Sequence, residues 1–183
     1  MKNDGKNLEW KVKAERQILS TKVFTINETT SVSPDGRESH FVVTDAPDWV
    51  IVVPELEGNF LMVRQWRHGS NSLSVEFPGG VIDDGESPEK AARRELKEET
   101  GFSSKKLTFL GSANPNPALM KNKVHFFTAE DLYQEGGQKL DDDEYLDFMK
   151  IPVDEVIKKT GNEEYHHALM MAALFKYMMF KKK

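Results

Sequence analysis

Between Gly80 and Phe102 the chain reads GVIDDGESPEKAARRELKEETGF, a glycine-led turn running into a short helix whose two ends are written in the sequence. Ser87 can accept from the free amides of a first turn, and Pro88 after it has a preset φ and lacks an amide that would have been orphaned anyway. Gly101 can take the left-handed conformation that ends a helix, so the signals predict a helix from about Pro88 to about Thr100. At roughly 100° per residue Glu95, Glu98 and Glu99 fall on one face, with Ala91 a turn earlier, while Lys90, Arg93 and Lys97 point away. Ala92 and Leu96 add a narrow apolar edge, which puts the carboxylates at the rim of a core. Like charges on one turn repel, and more strongly when partly buried, so something positive should offset them. Three hard oxygen donors suit Mg²⁺ or Mn²⁺, ions that bring phosphates with them. On spacing alone the pattern reads first as a solvated acidic face.

The whole stretch says more. Gly80, Glu86, Arg94, Glu95, Leu96, Glu98, Glu99, Gly101 and Phe102 fall where the 23-residue Nudix box asks for glycine, glutamate, arginine-glutamate, an aliphatic residue, two glutamates, glycine and a hydrophobic residue. The chain therefore resembles the Nudix hydrolases. Its flanks resemble the branch that acts on ADP-ribose and nucleoside diphosphate sugars: an N-terminal antiparallel layer, Asp48-Trp49, the strand end Arg64-Gln65-Trp66-Arg67, and Glu76-Phe77-Pro78-Gly79-Gly80 entering the box.

Composition narrows the classes. At 183 residues and 20.9 kDa the chain suffices for one domain, or one with an N-terminal elaboration, and can bury a proper core. With no cysteine there is no disulfide framework, zinc-thiolate site or thiol nucleophile, and a reducing compartment is permitted. The N-terminus lacks the apolar core of a signal peptide and no run approaches the roughly 20 apolar residues that span a bilayer, so a cytoplasmic protein without membrane association is expected. A net charge of −5 argues against a nucleic-acid binder, which would rest on a basic face.

Along the chain, residues 9–45 read as antiparallel strands with a turn at Ser33-Pro34-Asp35-Gly36. Trp49 to Val53 and Asn59 to Trp66 read as an antiparallel pair, Leu73 to Phe77 as a strand entering the glycines, and Lys106 to Ser112, Lys123 to Thr128 and Leu146 to Ile151 as further strands. Asn114-Pro115-Asn116-Pro117 reads as a rigid exposed loop, either a tight connection or part of an active site. Asp141 to Glu144 by itself reads as a solvated loop. From Asp154 onward the pattern is helical with a break at Thr160-Gly161-Asn162. The stretch from Glu163 to Phe180 then reads as a core-packing helix, rather than one lying on a membrane, with Lys181 to Lys183 at its C-terminus. On that helix adjacent His166 and His167 face different ways, make a poor metal pair and read as structural or incidental. Trp66 alternates with Gln65 and Arg67 and reads as core.

The resemblance implies an α/β fold, a Nudix α/β/α sandwich with a mixed sheet, plus the N-terminal antiparallel β layer. Residues 1–45 would form that layer, a dimerisation and substrate element, and residues 46–183 the catalytic domain. It implies divalent-metal-dependent hydrolysis of the diphosphate bond of ADP-ribose or another nucleoside diphosphate sugar, with Mg²⁺ or Mn²⁺. The products would be a nucleoside monophosphate and a sugar phosphate. Glu95 and Glu99 would be the main metal ligands, Glu98 a further ligand or base, the Gly79 carbonyl another ligand, and Glu86 a loop group that binds or orients metal. Arg94 would hold a glutamate by a bidentate bond that lysine could not reproduce. The general base in this branch comes from a later loop, which points to Glu144, then Asp142, with Glu98 competing. Arg67 would meet a phosphate, and Trp49 or Trp10 would stack on the base. A homodimer is implied. The box does not encode what flanks the diphosphate, so a nucleoside triphosphate or dinucleoside polyphosphate pyrophosphohydrolase stays open, as does a non-catalytic nucleotide-sugar sensor.

Overall fold

The computed structural model describes residues 5–142 and 144–182; Asp143 of the acidic run and Lys183 of the terminal lysines lie outside the described residues. The chain divides into two compact units, one of residues 1–47 and 114–123, the other of residues 48–113 and 124–183.

The first unit is a three-stranded antiparallel sheet, β1 (Lys11–Ser20), β2 (Thr25–Val32) and β3 (Glu38–Asp45), in that order. Its second turn follows from sequence: Ser33 Oγ accepts the Arg37 amide at 3.0 Å and Gly36 takes the positive φ of 88°. β2 alternates buried and half-buried side chains, whereas all of β1 is exposed, Val12, Ile18 and Leu19 included. The Asn-Pro-Asn-Pro loop belongs to this unit. Thr44 of β3 donates its amide to Leu119 O at 2.7 Å and accepts from the Lys121 amide at 3.0 Å. Trp10 packs edge-on against Phe41 within the same unit and is 43% exposed.

The second unit is built on β4 (Trp49–Leu56), β5 (Asn59–Arg67), β6 (Ser72–Glu76), β7 (Phe102–Ala113), β8 (Val124–Gln134) and β9 (Leu146–Pro152), with order β6-β5-β4-β8-β7 and β9 paired to β5. β4 runs parallel to β8, and every other pairing is antiparallel, so the sheet is mixed as expected. The expected pair of β4 and β5 touches only at Glu55–Phe60 and Leu56–Asn59; beyond those residues β5 turns to β9 and β6. β4 is buried from Val50 to Pro54, as a strand covered on both faces must be. One face packs Ala91, Ala92 and Leu96 of helix α1 (Pro88–Thr100) over Val50, Val52 and Phe127. The other packs Ala173, Leu174 and Tyr177 of helix α3 (Ala168–Lys181) over Ile51, Val53 and Phe60. At about 25 cal/mol per Å² of apolar surface, these two seams are the main favourable term holding the layers.

Helix α1 has the boundaries that its caps predict. Ser87 accepts from the Lys90 amide, and Gly101 closes the helix at φ 74°. In the tail α2 (Val153–Lys159) ends at the expected break, but α3 begins at Ala168 rather than near Glu163. The reason is local, because His167 turns its ring back to cap the new helix and so has to stand outside it. Trp66 also departs, being 46% exposed rather than core. It pairs with Leu73 near the open end of β5 and β6 and lines a shallow groove with Leu140 and Tyr145, which leaves its ring half in water. Among the described residues no helix is long and apolar enough to cross a membrane.

Candidate active site

The turn before α1 lies along β4. Val52 donates its amide to Pro78 O and Val50 to Gly80 O, each at 2.9 Å. In such an extended stretch successive carbonyls alternate, so the Gly79 carbonyl and amide face away from β4. The Gly79 amide donates to Glu99 Oε2 at 2.9 Å, and no hydrogen bond to the Gly79 carbonyl occurs among the described residues. That carbonyl is therefore an available oxygen donor on the acidic side. Gly80 leaves room for the Glu95 carboxylate, which a Cβ there would push aside.

Glu95 and Glu99, one turn apart on the buried face of α1, are 7% and 2% exposed. Burial pushes Glu95 up to about 7, against the pull of Arg94. Burial likewise raises Glu99 well above the carboxylate range; the Gly79 amide opposes this, while the charges of Glu95 and Glu144 add to it. Two desolvated carboxylates on one helix face, of which Glu95 raises Glu99, are costly to ionise, and a bound cation is the simplest group to reverse that cost.

Arg94 ties the set together. Its Nε and Nη2 grip Glu86 at 3.2 and 2.9 Å, and its Nη1 donates to Glu95 Oε1 at 2.7 Å and Glu98 Oε2 at 3.3 Å. Nη2 also donates to Val81 O at 3.0 Å, which fixes the turn to the helix. The bidentate bond is thus to Glu86, in the loop, and not to a helix glutamate; these contacts keep Arg94 protonated and hold Glu86 below its ordinary value. Glu98, at 38% side-chain exposure, turns to Arg94. Among the described residues no three carboxylate or imidazole groups form a ready cation cage. The donor set nonetheless suits a divalent cation: two buried carboxylates, a free carbonyl, and a glycine cradle that a Cβ would fill.

The loop after β8 is fastened to the C-terminus of α1. Lys139 donates its amide to Glu98 O, and Gln138 its side-chain amide to Glu99 O, both at 2.8 Å, satisfying carbonyls that a helix end leaves open. This docking carries the acidic run toward the site, and the charge of Glu144 acts on Glu95, Glu99 and Arg67. Glu144 is exposed and exchanges hydrogen bonds with the Asp141 backbone; Asp142 is exposed on the same loop.

Beside the glycines opens a cavity of about 620 Å³, lined among others by Trp49, Arg67, Glu76, Gly79, His166 and His167. Arg67 is committed there: Nε donates to Glu76 Oε1 at 2.8 Å and Nη2 to Oε2 at 2.5 Å. Glu76 is 1% exposed. Burial pushes it up, yet the Arg67 fork and charge prevail and hold it below its ordinary value. Trp49 is half-buried at the wall, and Trp10 belongs to the other unit. Glu76 and the two histidines were not predicted to matter. A Glu two residues ahead of Pro-Gly-Gly that shares a sheet face with Arg67 was the available signal for the first. No signal in the sequence placed residues 166 and 167 on the cavity that Gly79 lines.

A mixed sheet between helices, a glycine turn, and an acidic helix closed by Arg94 define a Nudix hydrolase. The NUDIX domain family matches residues 45–173, and the chain belongs to that family. It is 34% identical to the ADP-ribose pyrophosphatase of Bacillus subtilis (strain 168) over 178 residues, 96% of each chain. To the ADP compounds hydrolase NudE of Escherichia coli (strain K12) it is 33% identical over 126 residues, 69% of this chain and 67% of the other. A crystal structure of an ADP compounds hydrolase superposes with a TM-score of 0.85 at 27% identity, covering 97% of both chains.

Proposed function

We propose that this chain hydrolyses the diphosphate bond of ADP-ribose, or of another nucleoside diphosphate sugar, to a nucleoside monophosphate and a sugar phosphate, with Mg²⁺ as its divalent cation. The observation that carries the reading is the buried Glu95–Glu99 pair, with Glu99 held to the amide of Gly79, a residue that also lines the cavity. The names of the full-length relatives support the substrate class.

Glu95, Glu99 and the Gly79 carbonyl would hold the cation, with Glu98 as a further ligand once released from Arg94. When bound, the cation neutralises diphosphate charge and acidifies water near it. Arg94 orients Glu95 and, through Glu86, keeps the turn against the helix. Glu144 accepts the proton of the attacking water, with Asp142 next to it on the loop and Glu98 as the competing base. Arg67, held by Glu76, presents its remaining N–H groups to a substrate oxygen, and Trp49 offers its ring to the base.

The same reading takes residues 46–183 as the catalytic domain and residues 1–45 as a layer that pairs with a second copy and completes the substrate site, with Trp10 as an aromatic contact. Exposed apolar side chains along β1 support a partner there. Work in the reducing cytoplasm suits a chain without cysteine. The test is incubation of the purified protein with ADP-ribose, several nucleoside diphosphate sugars and a nucleoside triphosphate panel, with Mg²⁺ or Mn²⁺. Nucleoside monophosphate from the diphosphate sugars is expected; pyrophosphate release from triphosphates alone would refute the substrate class, and binding without turnover would make the chain a sensor.

A further inference from the structure

One polar group at the cavity has no part in the chemistry above. His167 caps α3, its Nδ1 accepting the Leu169 amide at 3.1 Å. A ring nitrogen that accepts carries no proton, so the neutral ring bears its proton on Nε2. Burial favours the neutral ring, against the attraction of the Glu76 charge. The cap thus locks one tautomer, and no hydrogen bond from Nε2 occurs among the described residues.

The surroundings define what such a donor would meet. Arg67 and Glu76 are a closed ion pair, so their charges cancel and the wall offers N–H donors with no net positive charge. A further phosphate would need a cation to offset its charge on leaving water. A sugar needs only single donors beside apolar surface, which Val81, Leu169 and Met170 provide in this cavity.

On the hydrolysis reading above, we infer that His167 is a specificity-determining residue: its Nε2–H donates to a hydroxyl or ring oxygen of the sugar half of the substrate. The cavity thereby selects an uncharged sugar over an additional phosphate as the group beyond the diphosphate.

His167→Ser keeps an oxygen to cap the helix and leaves no donor within reach of the Nε2 position. Steady-state kinetics on ADP-ribose and on the methyl ester of ADP, which has no sugar on its distal phosphate, measure the selection. The ratio of the two kcat/KM values is expected to fall about tenfold in the variant, through KM for ADP-ribose rather than kcat, the size of one lost hydrogen bond that leaves its partner unmade. Equal losses on both substrates would overturn the assignment. A second measurement needs neither turnover nor a variant: ¹⁵N NMR of the wild-type imidazoles. A protonated Nε2 whose resonance moves with ribose 5-phosphate and not with inorganic phosphate is expected. A proton on Nδ1, or equal responses to both, would overturn the inference. Failure of wild type to cleave any diphosphate sugar would instead refute the hydrolysis reading, and the two failures are read in separate arms.

Discussion

Replacing Glu95 by glutamine should stabilise the metal-free protein while abolishing its function. In the fold Glu95 is lifted from 4.5 to about 7, chiefly by burial. Between those values the folded state holds a proton that the unfolded chain has released, so stability falls as pH rises through this window. At about 1.4 kcal/mol per pH unit, the wild type has lost about 3 kcal/mol by pH 8. That sum already includes the help of Arg94, whose bond to Oε1 a glutamine oxygen can still accept. Glutamine never ionises, so Glu95→Gln should unfold roughly 6–12 °C above wild type at pH 8 in EDTA, for a chain of this size. Relief of the repulsion felt by Glu99 acts in the same direction. At pH 4.5 and below the two proteins should converge. Thermal unfolding followed by circular dichroism across pH 4–8, with and without Mg²⁺, is the assay. Mg²⁺ at a hundred times its Kd should return about 2.7 kcal/mol to wild type and little to the variant. A variant no more stable than wild type at pH 8 in EDTA, or one keeping the same pH slope, would refute the reasoning that the buried charge is a cost held for a cation.

Other expectations are briefer. Arg67→Ala strands the fully buried Glu76 charge and should cost about 3–5 kcal/mol in urea unfolding, and adding Glu76→Gln should recover much of it. Gly80→Ala forces the Glu95 carboxylate aside and should weaken Mg²⁺ binding in calorimetry with the fold kept, because the obstacle is a side chain; Gly79→Ala meets the Val50 carbonyl instead and should fail to accumulate as folded protein. Glu144→Gln should lower kcat about 10²-fold or more with Mg²⁺ affinity retained, and wild-type rates in that variant would shift the base to Glu98.

What the sequence determined is local. The caps Ser87 and Gly101, the proline at the first helical position and the i, i+3, i+4 glutamates fix α1 and its acidic face through contacts within a few residues, and the nine matched positions from Gly80 to Phe102 mark the family. The exposure of Trp66 and the loop of Gly136–Lys139 on the end of α1 depend on partners far along the chain, which periodicity does not encode. The family resemblance likewise implies that Arg94 would grip a glutamate but not which one, since Glu86 reaches it only when the turn folds back. Only the tertiary structure brings Glu76 under Arg67 and sets His167 and Gly79 on one cavity. It also buries Glu95 and Glu99 deeply enough to turn a row of carboxylates into a site with a use for a cation, because desolvation is a property of the packed layers and not of the helix.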